Sequence, residues 1–144
     1  GVVIGYNGLA GHTFVGNEPD DVGYHAYVIQ ARDYSAVTAA CLMVKASLYD
    51  EVGGFEEELE VAFNDVDFCL KVREKGYLVV YNPYAVLYHY ESKSRGYEDT
   101  PEKRNRFEKE AFFTYNKWEK ILADGDPCYN PNLTLSNSDF SLRE

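Results

Sequence analysis

Two stretches of this chain carry the apolar spacing of amphipathic helices, and the strand-like runs around them are few and short. In the first stretch, Val66, Cys69, Leu70 and Arg73 recur at helical intervals behind Asn64, a residue type that caps helix N-termini. Asp65 and Asp67 fall in the first turn, Gly76 is the stop, and Lys71, Glu74 and Lys75 are expected to face outward. In the second, Thr100-Pro101 supplies a capping hydroxyl and a proline at the first helical position. Phe107, Ala111, Tyr115, Trp118 and Leu122 then mark one face. Such stripes must be buried against another layer. The candidates are strands over residues 37–45, 77–81 and 84–90, the last two separated by Asn82-Pro83. Alternation in the third strand places Ala85, Leu87 and His89 on one face. A short helix over 46–52 is halted by Gly53-Gly54, and the glycine-rich first thirty residues read as loops around short strands. The expected class is α/β, a short mixed sheet with two main helices, in a single domain over 1–144 that lacks strands to cover them. Residues 101–144 form its C-terminal helix and an irregular tail.

Composition narrows the function. Apolar residues make up 45% and charged residues 26% of the 144, ordinary for a globular chain. The net charge of −10 offers no cationic surface for phosphate backbones, so nucleic acid is not an expected partner. No apolar run reaches the ~18–20 residues of a membrane span. Cys41, Cys69 and Cys128 are odd in number and lack C-x-x-C spacing, which argues against a disulfide framework or zinc site and fits a reducing compartment. The 13 tyrosines suit core and rim packing, with the ring buried and the hydroxyl wet.

Familiar nucleotide cradles are missing. Gly5-x-x-Gly8-x-x-Gly11 is not a dinucleotide fingerprint, and no Gly-Lys-Ser/Thr run occurs. Asp65-Val66-Asp67 has the spacing to share a divalent cation, but Asp124-Gly125-Asp126 matches equally well. An EF-hand starting at Asp124 fails, since Tyr129 and Leu135 stand where glycine and glutamate are needed. Helix-start acids favoured by the dipole are the simpler reading of Asp65 and Asp67. For Asp67 a partnership with Arg73 or a backbone cap is expected. His89 is the best placed of three histidines, near a strand end; His12 and His25 lie in glycine-rich loops.

Taken together, the run at 37–45, Val52-Gly53-Gly54-Phe55, Asn64-Asp65-Val66-Asp67-Phe68-Cys69-Leu70, Gly76-Tyr77 and His89-Tyr90-Glu91-Ser92 resemble the C-terminal half of a family two glycosyltransferase. The likeness is greatest to bacterial enzymes building rhamnose- or galactose-containing surface polysaccharides. Asn130-Pro131-Asn132-Leu133 and the Trp118 helix extend it over nearly the whole chain.

That resemblance implies the A-type fold and an inverting hexosyl transfer from a nucleotide sugar to a growing surface glycan. It implies a divalent metal, Mn2+ or Mg2+, bound mainly by a nucleotide-binding half that this chain, which begins at Gly1, is expected to lack. The Glu-Asp pair of such enzymes falls on Asn64-Asp65, so Asp65 becomes the catalytic base with asparagine in place of glutamate; Lys71 replaces a usual arginine. His89 matches a histidine that can ligate the metal, and Gly53, Gly54 and Phe55 match the loop beside the acceptor, with Asp67 assigned to the same acceptor side. A carboxylate suits the base role, since displacement at the anomeric carbon needs a group to take the acceptor hydroxyl's proton. The chain alone is expected to be inactive, to bind nucleotide sugar and metal weakly if at all, and to self-associate as a homo-oligomer through an apolar seam at 37–44. A cytoplasmic location at the inner face of a bacterial membrane follows from the same likeness. Rival readings are a non-catalytic carbohydrate- or protein-binding module and, less well supported, a metal-dependent hydrolase using Asp65, Asp67 and His89.

Overall fold

Three apolar residues in succession open the fold. Strand β1 (Val2–Ile4) is buried along its whole length and pairs antiparallel with β2 (Ala10–His12). The computed structural model describes residues 1–90 and 99–143. A second antiparallel pair joins β3 (Arg32–Tyr34) to β4 (Val79–Tyr81). An isolated antiparallel bridge, Val2 to Ala36, links β1 to the chain just after β3. The chain is α/β, as expected, with two main helices. Its described strands form two antiparallel pairs in place of one mixed sheet, because each run is only three residues long.

Among the described residues four α-helices pack on these pairs: α1 (Ala46–Glu51), α2 (Asn64–Glu74), α3 (Pro101–Lys117) and α4 (Glu119–Asp124). Helix α2 is the centre of the molecule. Val66, Phe68, Cys69, Leu70 and Val72 are all buried, and they meet Val2, Ile4, Ala36, Leu48, Val79 and Trp118 in the main core. Burial of each large side chain contributes about 1.5–3 kcal/mol. Arg73 leaves the helix to pair with Asp33 at 2.9 Å and to donate to the Tyr34 carbonyl at 3.1 Å, fastening α2 beneath β3. Arg73, expected as a partner of Asp67, therefore serves a different aspartate. Gly76 ends α2 with φ +82°, a conformation that favours glycine. At the other end Asn64 is the first helical residue, and the cap position belongs to Phe63, held left-handed at φ 60°.

Three sequence expectations are corrected. Residues 37–45 are not a strand: Ala39–Cys41 form a tight turn whose amides are taken by side chains, Ala39 N–H by Asp65 and Ala40 N–H by Thr38. Those donors are unavailable to a ladder. Leu42 and Val44 still pack on the core, while Cys41 and Met43 stand in solvent, Met43 at 99% exposure. Residues 84–90 are not a strand either, and Ala85, Leu87 and His89 line no buried face. Asn82 bonds the Tyr84 N–H and turns the chain, and no neighbouring strand among the described residues receives it. The expected loop at 91–99 lies outside the described residues except for Asp99.

The third correction concerns α3. Thr100 caps it as expected, accepting from Lys103 N–H, with Pro101 at the first position. Of the expected stripe Trp118 is buried and Leu122 packs on the core, but within α3 itself the buried residues are Glu110 and Thr114, while Phe107 and Tyr115 stay 41% and 47% exposed. Glu110 turns inward because Ala62 N–H, in the loop before α2, needs an acceptor and finds it at 2.6 Å. The helix then breaks at Trp118, where α4 begins. The tail from 125 to 143 returns to the first strands, with Asp126, Leu133 and Phe140 buried. Asp126 accepts from Ile4 N–H, Ser35 Oγ and Cys128 N–H, which occupies the second D-x-D match in holding the tail to β1. No helix among the described residues is long and apolar enough to cross a membrane.

Candidate functional site

The two acids in the first turn of α2 have opposite environments. Asp65 is half-buried: one carboxylate oxygen accepts from Ala39 N–H at 3.1 Å and the other from Val66 N–H at 2.9 Å. Each oxygen keeps lone-pair capacity for another donor. The residue before the helix, Phe63, holds a backbone conformation that costs a non-glycine residue on the order of 1–3 kcal/mol. Its ring meets Phe107 of α3 at 5.5 Å. The start of α2 is thus bound on one side to the Ala39 turn and on the other to α3.

Asp67 is fully buried, at 0% exposure. Its Oδ1 receives the Trp118 indole N–H at 2.8 Å and lies 2.8 Å from the Lys117 ammonium, and its Oδ2 lies 3.2 Å from Lys71 Nζ. A buried carboxylate without such partners would be strongly destabilising. Lys71, expected on the outward face, folds back to this carboxylate and also donates to the Gly54 carbonyl at 2.6 Å. Lys117 donates to Glu56 at 2.7 Å. Burial pulls the Lys117 ammonium down, but its bonds to Asp67 and Glu56 outweigh that and raise it above the usual lysine value. The hydrogen bond from Lys117 holds Glu56 below the usual glutamate range.

The expected acceptor loop therefore adjoins Asp67 through two lysines. Gly54 sits at φ +66°, and a Cβ there would lie 2.8 Å from the Tyr49 ring, so only glycine fits. Phe55 follows, 40% exposed, with its ring 5.9 Å from Tyr49 and 5.1 Å from Phe68. His89 lies apart from this arrangement, exposed in irregular chain after β4. Among the described residues no three His, Cys, Asp or Glu side chains gather as a metal would require. His89 by itself does not make a metal site.

Sequence reasoning did not single out Lys117, Glu56 or the Trp118 indole as parts of this site. Their only signal was a Lys-Trp pair ending an amphipathic stretch and an acidic run after the glycines.

Fold and site together define a small α/β unit built on a buried helix that carries one sealed and one accessible carboxylate in its first turn. Over 143 residues, 99% of this chain, it is 52% identical to the uncharacterized protein y4gI of Sinorhizobium fredii, of which that stretch is 16%. It is 33% identical to the O-antigen biosynthesis protein RfbC of Myxococcus xanthus, covering 99% of this chain and 11% of that protein. Over 60 residues, 42% of this chain and 20% of the relative, it is 35% identical to the N-acetylglucosaminyl-diphospho-decaprenol L-rhamnosyltransferase of Mycobacterium tuberculosis. The chain thus spans a small part of the curated relatives it matches. No family model matches it, and no solved structure does.

Proposed function

We propose that this chain is the acceptor-side part of an inverting family two glycosyltransferase, which moves a hexose such as rhamnose or galactose from a nucleotide sugar to a growing cell-surface glycan. The observation that carries this reading is similarity along 99% of the chain to a protein named for O-antigen biosynthesis. The rhamnosyltransferase likeness over 60 residues supports the reaction class. In this reading the nucleotide and most metal ligands belong to a nucleotide-binding half outside the chain, and the exposed apolar run at 77–90, in place of 37–44, is the face that half covers.

Asp65 is assigned the base. As the acceptor hydroxyl oxygen attacks the anomeric carbon, Asp65 takes its proton, and the bond from that carbon to the nucleotide's phosphate oxygen breaks. Its partners Ala39 N–H and Val66 N–H fix the carboxylate without using all its lone pairs. Positioning supplies most of what such a base contributes. The metal-dependent hydrolase reading is not kept, because it needs Asp67 beside His89, and Asp67 is sealed under Trp118 while His89 is exposed.

The test is Asp65→Asn in the full-length protein, whose amide oxygen can keep one of the two backbone bonds, to Ala39 or Val66, and which removes the base. Turnover is expected to fall roughly 10²–10⁴-fold with the donor KM little changed. Near-normal turnover would sink the assignment.

A further inference from the structure

The buried carboxylate of Asp67 has two ammonium partners, and each of them has its other bond on the same loop. Lys71 spans Asp67 and the Gly54 carbonyl; Lys117, arriving from the end of α3, spans Asp67 and Glu56. Phe55 lies between the two gripped residues and is the one whose ring remains 40% exposed. We infer that Asp67, Lys71 and Lys117 form a clasp that positions the 53–56 loop and so presents Phe55 to the acceptor, with Asp67 acting through the lysines without touching the acceptor itself. The acceptor part of this inference rests on the proposed glycosyltransferase reading; the clasp does not.

Geometry favours a positioning device over simple packing. A buried anion is satisfied most economically by groups from its own helix and neighbours, and Trp118 already supplies a neutral donor at 2.8 Å. The two cations reach outward in addition, and both end on the loop. Gly53 and Gly54 are both left-handed, so the loop has little backbone preference of its own for one orientation, and side-chain anchors must hold it. An exposed aromatic ring held at a fixed angle is the part of such a loop that stacks on the apolar face of a sugar. Lys117 also joins the end of α3 to the loop, so the clasp crosses 61 residues of sequence between Lys117 and Glu56.

The test uses Lys117→Met and Glu56→Gln in the full-length protein. Lys117→Met removes the ammonium and keeps its stem. Glu56→Gln loosens only the loop end and leaves Asp67 paired, so it remains informative if the first variant folds poorly. Amide exchange over 53–57 is expected to rise roughly 5–10-fold in both, and in Glu56→Gln, which leaves Asp67 paired, exchange in 66–72 of α2 stays unchanged. The acceptor KM is expected to rise several-fold, while kcat at saturating acceptor changes by less than twofold. Unchanged exchange at 53–57 in both variants overturns the clasp. Loosened exchange with an unaltered acceptor KM overturns its role in acceptor recognition. If the wild-type protein shows no glycosyl transfer, the glycosyltransferase reading and the acceptor part fail together, and the exchange data still decide the clasp.

Discussion

Helix α2 and the segment that follows it at 77–90 are both rich in apolar and aromatic residues, yet one is buried and the other is not. Five of the apolar residues of α2 lie in the core. In the following segment Leu78, Val80, Tyr84, Val86, Leu87 and Tyr88 are exposed, Tyr88 at 90%. Among the described residues Val79 enters the main core and Tyr81 packs on the cluster around Tyr34, because β4 finds a partner strand in β3. The difference lies in neighbours. Helix α2 is covered by residues from β1, α1 and Trp118, all distant in sequence, whereas Asn82-Pro83 turns the later segment away from any such cover. Hydrophobic sequence marks what can be buried; an apolar surface this extensive on one segment usually marks a contact face.

The largest contrast should appear when matched truncations are made in the two regions. Phe68→Ala is expected to cost about 3–5 kcal/mol in urea unfolding, whereas Tyr88→Ala should stay within about 0.5 kcal/mol. A comparable loss for Tyr88→Ala would mean that the exposed segment is covered in solution. Next in size is the charged centre of the buried region. Asp67→Asn should cost about 3 kcal/mol, the low end for breaking a buried pair, because Lys71 and Lys117 each keep a second partner. A loss under about 1 kcal/mol would place Asp67 among surface ion pairs.

The smallest effect is an alkaline pH dependence, to which the buried helix contributes through Cys69. Burial pushes the Cys69 thiol up from 9.0 to about 11, so the folded chain holds this proton more tightly than the unfolded chain. Its contribution is whole below pH 9 and is lost as pH rises through about 11. Burial raises Cys128 from the same ordinary value of 9.0, so it adds to the same alkaline fall, while Lys117 and Tyr34, also raised, lose their contributions above their ordinary values of 10.5 and 10.0. Cys69→Ala should therefore flatten the fall in stability between pH 9 and 10, as followed by thermal unfolding. A thiol reagent at pH 8 should modify exposed Cys41 long before Cys69. An unchanged alkaline slope in Cys69→Ala would remove the thiol from the account.

Local signals determined much of this protein. The capping hydroxyl of Thr100 with Pro101, the glycine stops at 53–54 and 76, and the apolar spacing of α2 are decided within a few residues of backbone chemistry, and each stands in the structure. Asp65 at the start of α2 was legible for the same reason. What tertiary structure decided are the features that depend on distant partners. Residues 37–45 read as a strand, but Asp65 takes the Ala39 amide a ladder would need. The inward face of α3 was set by Glu110 meeting the Ala62 amide, which overrode the apolar stripe at Phe107 and Tyr115. Asp65 and Asp67 read as near-equivalent helix-start acids. They became an accessible carboxylate and a sealed one because Trp118 and Lys117 converge on the second; the i,i+4 spacing encodes its pairing with Lys71, but no spacing encodes the arrival of two residues some fifty positions away.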